Sequence, residues 1–353
     1  MGVKIPGWYS MPLRPLSWCY GLGMIIRNWC YDAGVFRSNN VRVPVISVGN
    51  ITAGGTGKTP IVEYIVSRLL ASGKRIAVVS RGYKRITHGT FIVSDGTRCF
   101  GGPQEAGDEP MQLARKFPTA TVVVDEQRSR GAEAALRLKE IDAIVLDDGF
   151  QHRALGRDLD IVVMDGSESV MGEPMIPSGL RREPFPALRR AGIVVVTRNQ
   201  ISERMRTFIR NYTPAPLVCM MFKPLSLTEA GSNERLRYQD LKGKRCIAFC
   251  GIGNPRSFVV TLGEAGIRPL DTLFFPDHHA YSPADIQTIV SLAKRCDAAI
   301  LMTTEKDAVR LDQTLLSRID KSLRLLALTI GAEIMEGEES FHRLLDAALR
   351  RAA

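Results

Sequence analysis

The chain reads as an α/β protein. A doubly wound, P-loop NTPase-like α/β/α domain is followed by a second, smaller α/β domain, with an amphipathic membrane-associating helix ahead of both. Three observations predict this. Short β-branched apolar runs alternate with segments long enough for crossover helices. A Gly-rich loop ending in Gly-Lys-Thr stands between the first such run and the first such helix. A proline-interrupted stretch near residues 212–240 separates two sets of strands. The length of 353 residues agrees, since domains of about 100–200 residues make two the expectation.

Taken in order, residues 1–36 form a separate N-terminal segment, with a helix over 13–31. Trp18, Leu22, Ile25, Ile26 and Trp29 fall on one helical stripe. The uncharged stretch between Arg14 and Arg27 is too short to span a bilayer, which needs about 18 residues or more. No small-x-small site follows a clean apolar core, so a signal peptide is not expected. Lys4, Arg14, Arg27, Arg37 and Arg42 against the single Asp32 describe a helix lying in an anionic membrane interface. The competing reading packs the same stripe on the protein's own core.

The P-loop domain is expected over 37–211. Its strands fall at 43–48, 76–80, 121–124, 143–146, 161–164 and 193–197, with clear helices at 60–71 and 129–139. Pro214, Pro216 and Pro224 place a linker at 212–240. The second α/β domain, 241–353, carries strands at 246–250, 273–275, 298–302 and 323–328, and a last helix at 339–350.

Composition narrows the function. Hydrophobic residues at 45% and charged residues at 24% exclude a disordered chain, a fibrous repeat and a polytopic membrane protein. The net charge of +10 contains no run of five basic residues, so nucleic acid is not an expected partner; an anionic membrane or a phosphate-bearing substrate is. Seven irregularly spaced cysteines with no C-x-x-C pair argue against a disulfide framework or zinc site and fit a reducing cytosol.

The chemistry centres on Thr52-Ala53-Gly54-Gly55-Thr56-Gly57-Lys58-Thr59. Apart from Thr52 at the first position, this is the phosphate-loop pattern. Gly54 and Gly55 let backbone N–H groups turn toward phosphate oxygens, and the following helix adds its positive end. Lys58 reaches the β- and γ-phosphates, and the Thr59 hydroxyl ligates Mg²⁺. Residues 144–146 deliver Asp147 and Asp148 to a strand's carboxyl edge, where Asp147 holds Mg²⁺ directly or through water. Neither Thr197-Arg198-Asn199-Gln200 nor Thr304-Glu305-Lys306-Asp307 has the order of an N-K-x-D guanine reader, so ATP is expected rather than GTP. Further polar clusters lie in loops at 80–83, 107–110, 125–128, 148–152 and 277–279. Asp277-His278-His279 reads either as part of a metal site or, more economically, as a source of a general base paired with a carboxylate.

Together these segments resemble the tetraacyldisaccharide 4′-kinase family, the lipid A 4′-kinases of Gram-negative bacteria. The resemblance is carried by residues 48–60, Ser80-Arg81-Gly82-Tyr83, Gly107-Asp108-Glu109-Pro110, residues 146–152, Arg182-Glu183-Pro184, residues 304–307 and the N-terminal Pro15-Leu16-Ser17-Trp18 and Asn28-Trp29-Cys30-Tyr31-Asp32. It covers essentially the whole chain in order, and Thr52 at the first loop position is similar to the family's own loop. The resemblance implies transfer of the γ-phosphate of ATP, with Mg²⁺, to the 4′-hydroxyl of a tetraacylated glucosamine disaccharide 1-phosphate, giving lipid IVA. It implies a monomer on the cytoplasmic face of the inner membrane. It also implies that Asp108 is the catalytic carboxylate and acts with a histidine of the second domain, His278 or else His279. On the same ground Asp147 and Asp148 flank the metal, and Arg128, Gln151, His152, Arg182 and Glu183 line the substrate. Lys84 and the doubled Arg181-Arg182 depart from the family pattern. The alternatives are a soluble P-loop kinase for a small metabolite and a nucleotide-hydrolysing switch or metallochaperone.

Overall fold

The computed structural model describes residues 7–231, 234–241 and 243–350; Lys4 of the basic N-terminal set lies outside them. The fold is mixed α/β. The chain forms two compact units, Val3–Phe222 with Ala332–Ala353, and Lys223–Gly331.

The first unit is built on a mainly parallel sheet. Its strand order is residues 217–222 of strand Leu217–Glu229, then Ile193–Thr197, Leu159–Asp165, Val45–Asn50, Ala143–Asp147, Ile76–Ser80, Thr121–Val124 and, antiparallel at the edge, Phe91–Asp95. Every residue of Val45–Asn50, Ile76–Ser80, Thr121–Val124, Ala143–Asp147 and Ile193–Thr197 is buried. That explains their uninterrupted apolar character: a strand covered on both faces has no solvent side to alternate with. Val45–Asn50 pairs with Ala143–Asp147 on one side and Leu159–Asp165 on the other. The strand order therefore reverses there, and a crevice opens at the carboxyl end of such a strand. The Gly-rich loop leaves from that end.

The second unit carries the parallel strands Thr272–Phe274, Cys246–Cys250, Ile300–Thr304 and Arg324–Glu336, in that order. Phe258 and Leu262 of helix Pro255–Glu264 pack with Cys246, Ala248 and Cys250. Ile286, Ile289 and Leu292 of helix Pro283–Arg295 pack with Ile247, Phe249 and Leu301.

Two expected boundaries move. Residues 212–240 are not a bare linker, because a thirteen-residue strand, Leu217–Glu229, runs through them. Pro224 falls outside both the register of residues 217–220 with Ile193–Thr197 and that of residues 227–228 with Arg235–Leu236. The last helix, Glu338–Arg350, belongs to the first unit and not with residues 241–331. Its buried Phe341, Leu345 and Ala348 face strands Val45–Asn50 and Leu159–Asp165.

The N-terminal helix runs from Gly7 to Asp32 and docks on the first unit by its polar face. Ser17 Oγ donates to the Met175 carbonyl at 3.0 Å and accepts from Ser178 N at 3.0 Å. Tyr20 Oη donates to the Arg182 carbonyl at 3.0 Å, and Asn28 Nδ2 donates to Glu183 Oε2 at 2.8 Å. Asp32 pairs with Arg153 and Arg189. The predicted stripe faces solvent instead: Trp18 is 73% exposed, Trp29 62%, and Leu22, Ile25 and Ile26 are each more than half exposed. The reading that packs this stripe on the protein's own core does not hold. Among the described residues no helix is long and apolar enough to cross a membrane.

Candidate active site

The Gly-rich loop is fixed before it reaches its lysine. Ile51 is buried, and its carbonyl accepts from Arg182 N at 2.7 Å and Glu183 N at 3.2 Å. Ala53 N donates to the Leu180 carbonyl, and the buried Thr52 bridges to Arg181. The first half of the loop is thus stitched to the 180–183 segment. Gly54 and Gly57 have φ of +104° and +84°, the left-handed region that favours glycine. At Gly57 space is also short, since a Cβ there would lie 2.3 Å from Phe222 Cζ. Thr56 Oγ1 accepts from Asn50 Nδ2 at 3.1 Å. Helix Lys58–Ala71 then begins with no side-chain cap on its first N–H groups. Thr59 sits in that first turn, where free N–H groups and the helix dipole favour an anion.

Strand Ala143–Asp147 brings the acidic pair to the same edge. Asp147 is 2% exposed and accepts from Ser80 Oγ at 3.1 Å. Burial, then the charges of Glu109 and Asp148, push its carboxyl up to about 7 against the pull of Lys58 and Ser80. Asp148 takes the left-handed conformation, φ +52°, unusual for a residue with a side chain. Its oxygens lie 3.3 Å from Lys58 Nζ and 3.0 Å from Arg182 Nη1. Burial would raise this carboxyl, but Lys58 and Arg182 outweigh it and hold it at about 2. Neighbouring carboxylates are thereby set apart, one ionised and paired, the other poised near neutrality. The turn that achieves this rests directly on the first strand: a Cβ on Gly49 would sit 2.5 Å from Phe150 Cβ.

Asp108 opens helix Asp108–Lys116 and is half-buried. The preceding Gly107, φ +90°, packs against Gly82 and the Tyr83 carbonyl, so the 80–83 and 107–110 loops lie together. Arg128 is buried; its Nη1 donates to the Asp125 and Glu126 carbonyls, and its backbone N donates to His152 Nε2 at 3.2 Å. Burial, then Arg128, Arg157 and Arg27, lower the His152 ring to about 4, so it is neutral at physiological pH. Gln151 Nε2 donates to the Asn50 carbonyl at 2.6 Å. Glu183 is fully buried, held by Asn28 and, at 3.5 Å, by Arg190. Lys58, Asp147, Asp148 and Arg182 thus come together, while Glu183 turns to the N-terminal helix and the Gln151 and His152 side chains are spent on backbone partners. Two participants were missed as individuals. Ser80 and Glu109 both act on Asp147, and the signal for each was a polar residue at the end of an apolar strand or inside a charged loop.

In the second unit His278 has φ +62°, and its backbone N donates to the Gly251 carbonyl at 3.1 Å. Its Nε2 lies 3.1 Å from Lys306 Nζ and its Nδ1 3.5 Å from Arg310 Nη2. The buried Asp307 accepts from Arg310 Nη1 at 2.8 Å, from Tyr281 Oη at 3.0 Å and from Gly251 N at 3.0 Å. His279 instead bonds Asp285 at 3.1 Å and stacks on Phe275. The adjacent rings serve different partners, and among the described residues no three His, Cys, Asp or Glu side chains gather as a metal cage.

Comparison with known proteins gives one answer. The sequence model of the tetraacyldisaccharide-1-P 4′-kinase family matches residues 9–350. A tetraacyldisaccharide 4′-kinase of Chlorobaculum tepidum is 40% identical over 347 residues, 96% of this chain and 97% of that one. One of Geobacter metallireducens is 40% identical over 304 residues, 86% of this chain and 89% of that one. A crystal structure of LpxK from Aquifex aeolicus in complex with ATP superposes with a TM-score of 0.79 at 32% identity, covering 97% of this chain and 99% of that one. With a family match running nearly end to end, relatives up to 40% identical and a structural likeness over almost the whole chain, the chain belongs to the tetraacyldisaccharide-1-P 4′-kinase family.

Proposed function

We propose that this protein is a tetraacyldisaccharide 4′-kinase of lipid A biosynthesis. It transfers the γ-phosphate of ATP to the 4′-hydroxyl of tetraacyldisaccharide 1-phosphate, giving lipid IVA and ADP. The observation that carries the reading is the meeting of Lys58, Asp148 and Arg182 at the uncapped start of helix Lys58–Ala71. There residues 52–59 would cradle the phosphates, and Lys58 would exchange its pairing with Asp148 for the β- and γ-oxygens.

Asp147 fits Mg²⁺. It is a buried hard-oxygen ligand at a strand's carboxyl end, with Ser80 Oγ as a hydrogen-bond partner and the Asp148 carboxylate next to it in the chain. Thr59, Asp147 and Asp148 would hold the ion, which, when bound, neutralises charge developing on the transferred phosphoryl group. A sugar hydroxyl is a weak nucleophile at neutral pH. Asp108 with His278 would take its proton as the new O–P bond forms and ADP departs. Arg182, paired with Asp148, and Arg128 would bind an anionic head group, with Gln151, His152 and Glu183 beside them.

We place the protein as a monomer at the cytoplasmic face of the inner membrane; the exposed stripe Trp18, Leu22, Ile25, Ile26 and Trp29 supports the docking to lipid. An enzyme held there would meet an acylated substrate in its own plane.

The test is transfer of labelled γ-phosphate to tetraacyldisaccharide 1-phosphate in mixed micelles. Lys58→Ala should abolish product. Asp108→Ala should lower kcat by about 10²–10⁴ with little change in ATP binding. A wild-type enzyme that labels soluble sugars but not this lipid would overturn the reading, and normal turnover in Asp108→Ala would remove Asp108 from it.

A further inference from the structure

The segment Thr197-Arg198-Asn199-Gln200 lacks the order of a guanine reader, yet its first two residues hold carbonyls of the Gly-rich loop. Thr197, fully buried at the end of strand Ile193–Thr197, donates from Oγ1 to the Thr56 carbonyl at 2.9 Å. Arg198 donates from Nη2 to the Gly55 carbonyl. Its Nη1 meets Asp165 Oδ2 at 2.7 Å, at the end of the neighbouring strand Leu159–Asp165. The other oxygen of Asp165 accepts from Ser167 N at 2.9 Å, which fixes the carboxylate in turn. Arg198 has φ +71°, a conformation that residues with side chains rarely take, and its side chain is 34% exposed.

A loop that binds phosphate has one requirement beyond glycine. Its N–H groups face the anion, so its carbonyls must be kept from turning the same way. Gly54 and Gly55 have no side chains to resist a peptide flip, and a carbonyl swung inward would set an acceptor against phosphate oxygens. Two consecutive carbonyls, those of Gly55 and Thr56, are tied to adjacent donors, one of them charged and anchored by its own carboxylate. We propose that Arg198 is a positioning residue of the nucleotide site, tensioned by Asp165, which holds the Gly55 carbonyl outward so that the loop is ready for ATP. This rests on the reading of residues 52–59 as the ATP site.

The experiment is steady-state kinetics of the full chain in mixed micelles for Arg198→Ala, Arg198→Gly, Arg198→Lys and Asp165→Asn, with melting temperatures alongside. Arg198→Gly removes the side chain while fitting φ +71° without strain, so it separates the guanidinium from the backbone. KM for ATP should rise about tenfold or more in both Arg198→Ala and Arg198→Gly, the loss of a charged hydrogen bond, with kcat and KM for the lipid unchanged. Arg198→Lys should recover part of that, because an ammonium reaches one partner where the planar fork held two. Asp165→Asn should move KM for ATP the same way by less, and Arg198→Ala with Asp165→Asn should exceed Arg198→Ala by little. An unchanged KM for ATP in both Arg198→Ala and Arg198→Gly would overturn the proposal while Lys58→Ala still abolished ATP use. So would a parallel loss of kcat, lipid KM and melting temperature. ATP binding that was indifferent to Lys58→Ala would overturn the underlying reading and this inference together.

Discussion

Helices Gly7–Asp32 and Glu338–Arg350 both lie on the unit formed by Val3–Phe222 and Ala332–Ala353, yet they bury opposite faces. The second turns Phe341, Leu345 and Ala348 inward, and Tyr64 of helix Lys58–Ala71 meets the Phe341 ring edge-on at 5.8 Å. It is held by area removed from water. The first turns Ser17 and Asn28 inward, pairs the exposed Asp32 with Arg153, and leaves two tryptophans outside. It is held by directional bonds to 150–153 and 175–190, and residues 180–183 of the second segment also bond the start of the Gly-rich loop. An apolar seam tolerates sliding and repacking. A set of bonds to named carbonyls and carboxylates fixes the rotation of the helix, and with it the direction its stripe faces.

The contrast is open to breakage. Phe341→Ala should cost about 3–5 kcal/mol of stability in denaturant titrations, as expected for a fully buried ring, and leave vesicle binding of the folded protein intact. Trp18→Ser with Trp29→Ser should do the reverse. Melting temperature should hold, while binding to anionic vesicles falls about a hundredfold, at roughly 1.5 kcal/mol for each ring withdrawn from lipid. A fall in melting temperature with vesicle binding retained would refute the outward role of the stripe. Asn28→Ala lies between the two, since it removes the 2.8 Å donor to the buried Glu183 and should destabilise by about 1–3 kcal/mol.

The smallest effect concerns pH. The His152 ring is held down at about 4, first by burial and then by Arg128, Arg157 and Arg27, the last from the N-terminal helix. A ring whose folded value lies below its unfolded value near 6.5 contributes stability that is complete above about 6.5 and is lost as pH falls through about 4. His152→Gln should flatten the stability profile across that window, and Arg27→Met should shallow it slightly. A slope unchanged in His152→Gln would assign the acid loss to other groups.

Much of this was legible in the residues. Runs 76–80, 121–124, 193–197 and 246–250 are the observed strands to the residue, because strands buried on both faces announce themselves as apolar runs. Phe91–Asp95 is an edge strand, half-exposed and mixed in composition, and gave no such run. Leu217–Glu229 hid behind three prolines whose harmlessness depends on pairing that no local pattern encodes. In the site, the loop and the acidic pair could be read from spacing. The split between Asp147 and Asp148 could not, since it depends on Glu109, Arg182 and Ser80, each from a different segment. The same holds for the stripe of the first helix, whose periodicity was plain but whose outward direction follows from Ser17 and Asn28 finding partners more than 150 residues away.

The chain leaves the first unit at Phe222 and returns to it at Ala332. During synthesis the ribosome therefore completes a whole neighbouring unit while the first still lacks a wall. Strands Val45–Asn50 and Leu159–Asp165 and the Tyr64 ring wait for Phe341 and Leu345. A premature stop or a clipped tail beyond residue 331 would spare the unit made just before it and strike the unit with the Gly-rich loop, made long before. Late truncations should therefore read out as misfolding of the oldest part of the nascent protein.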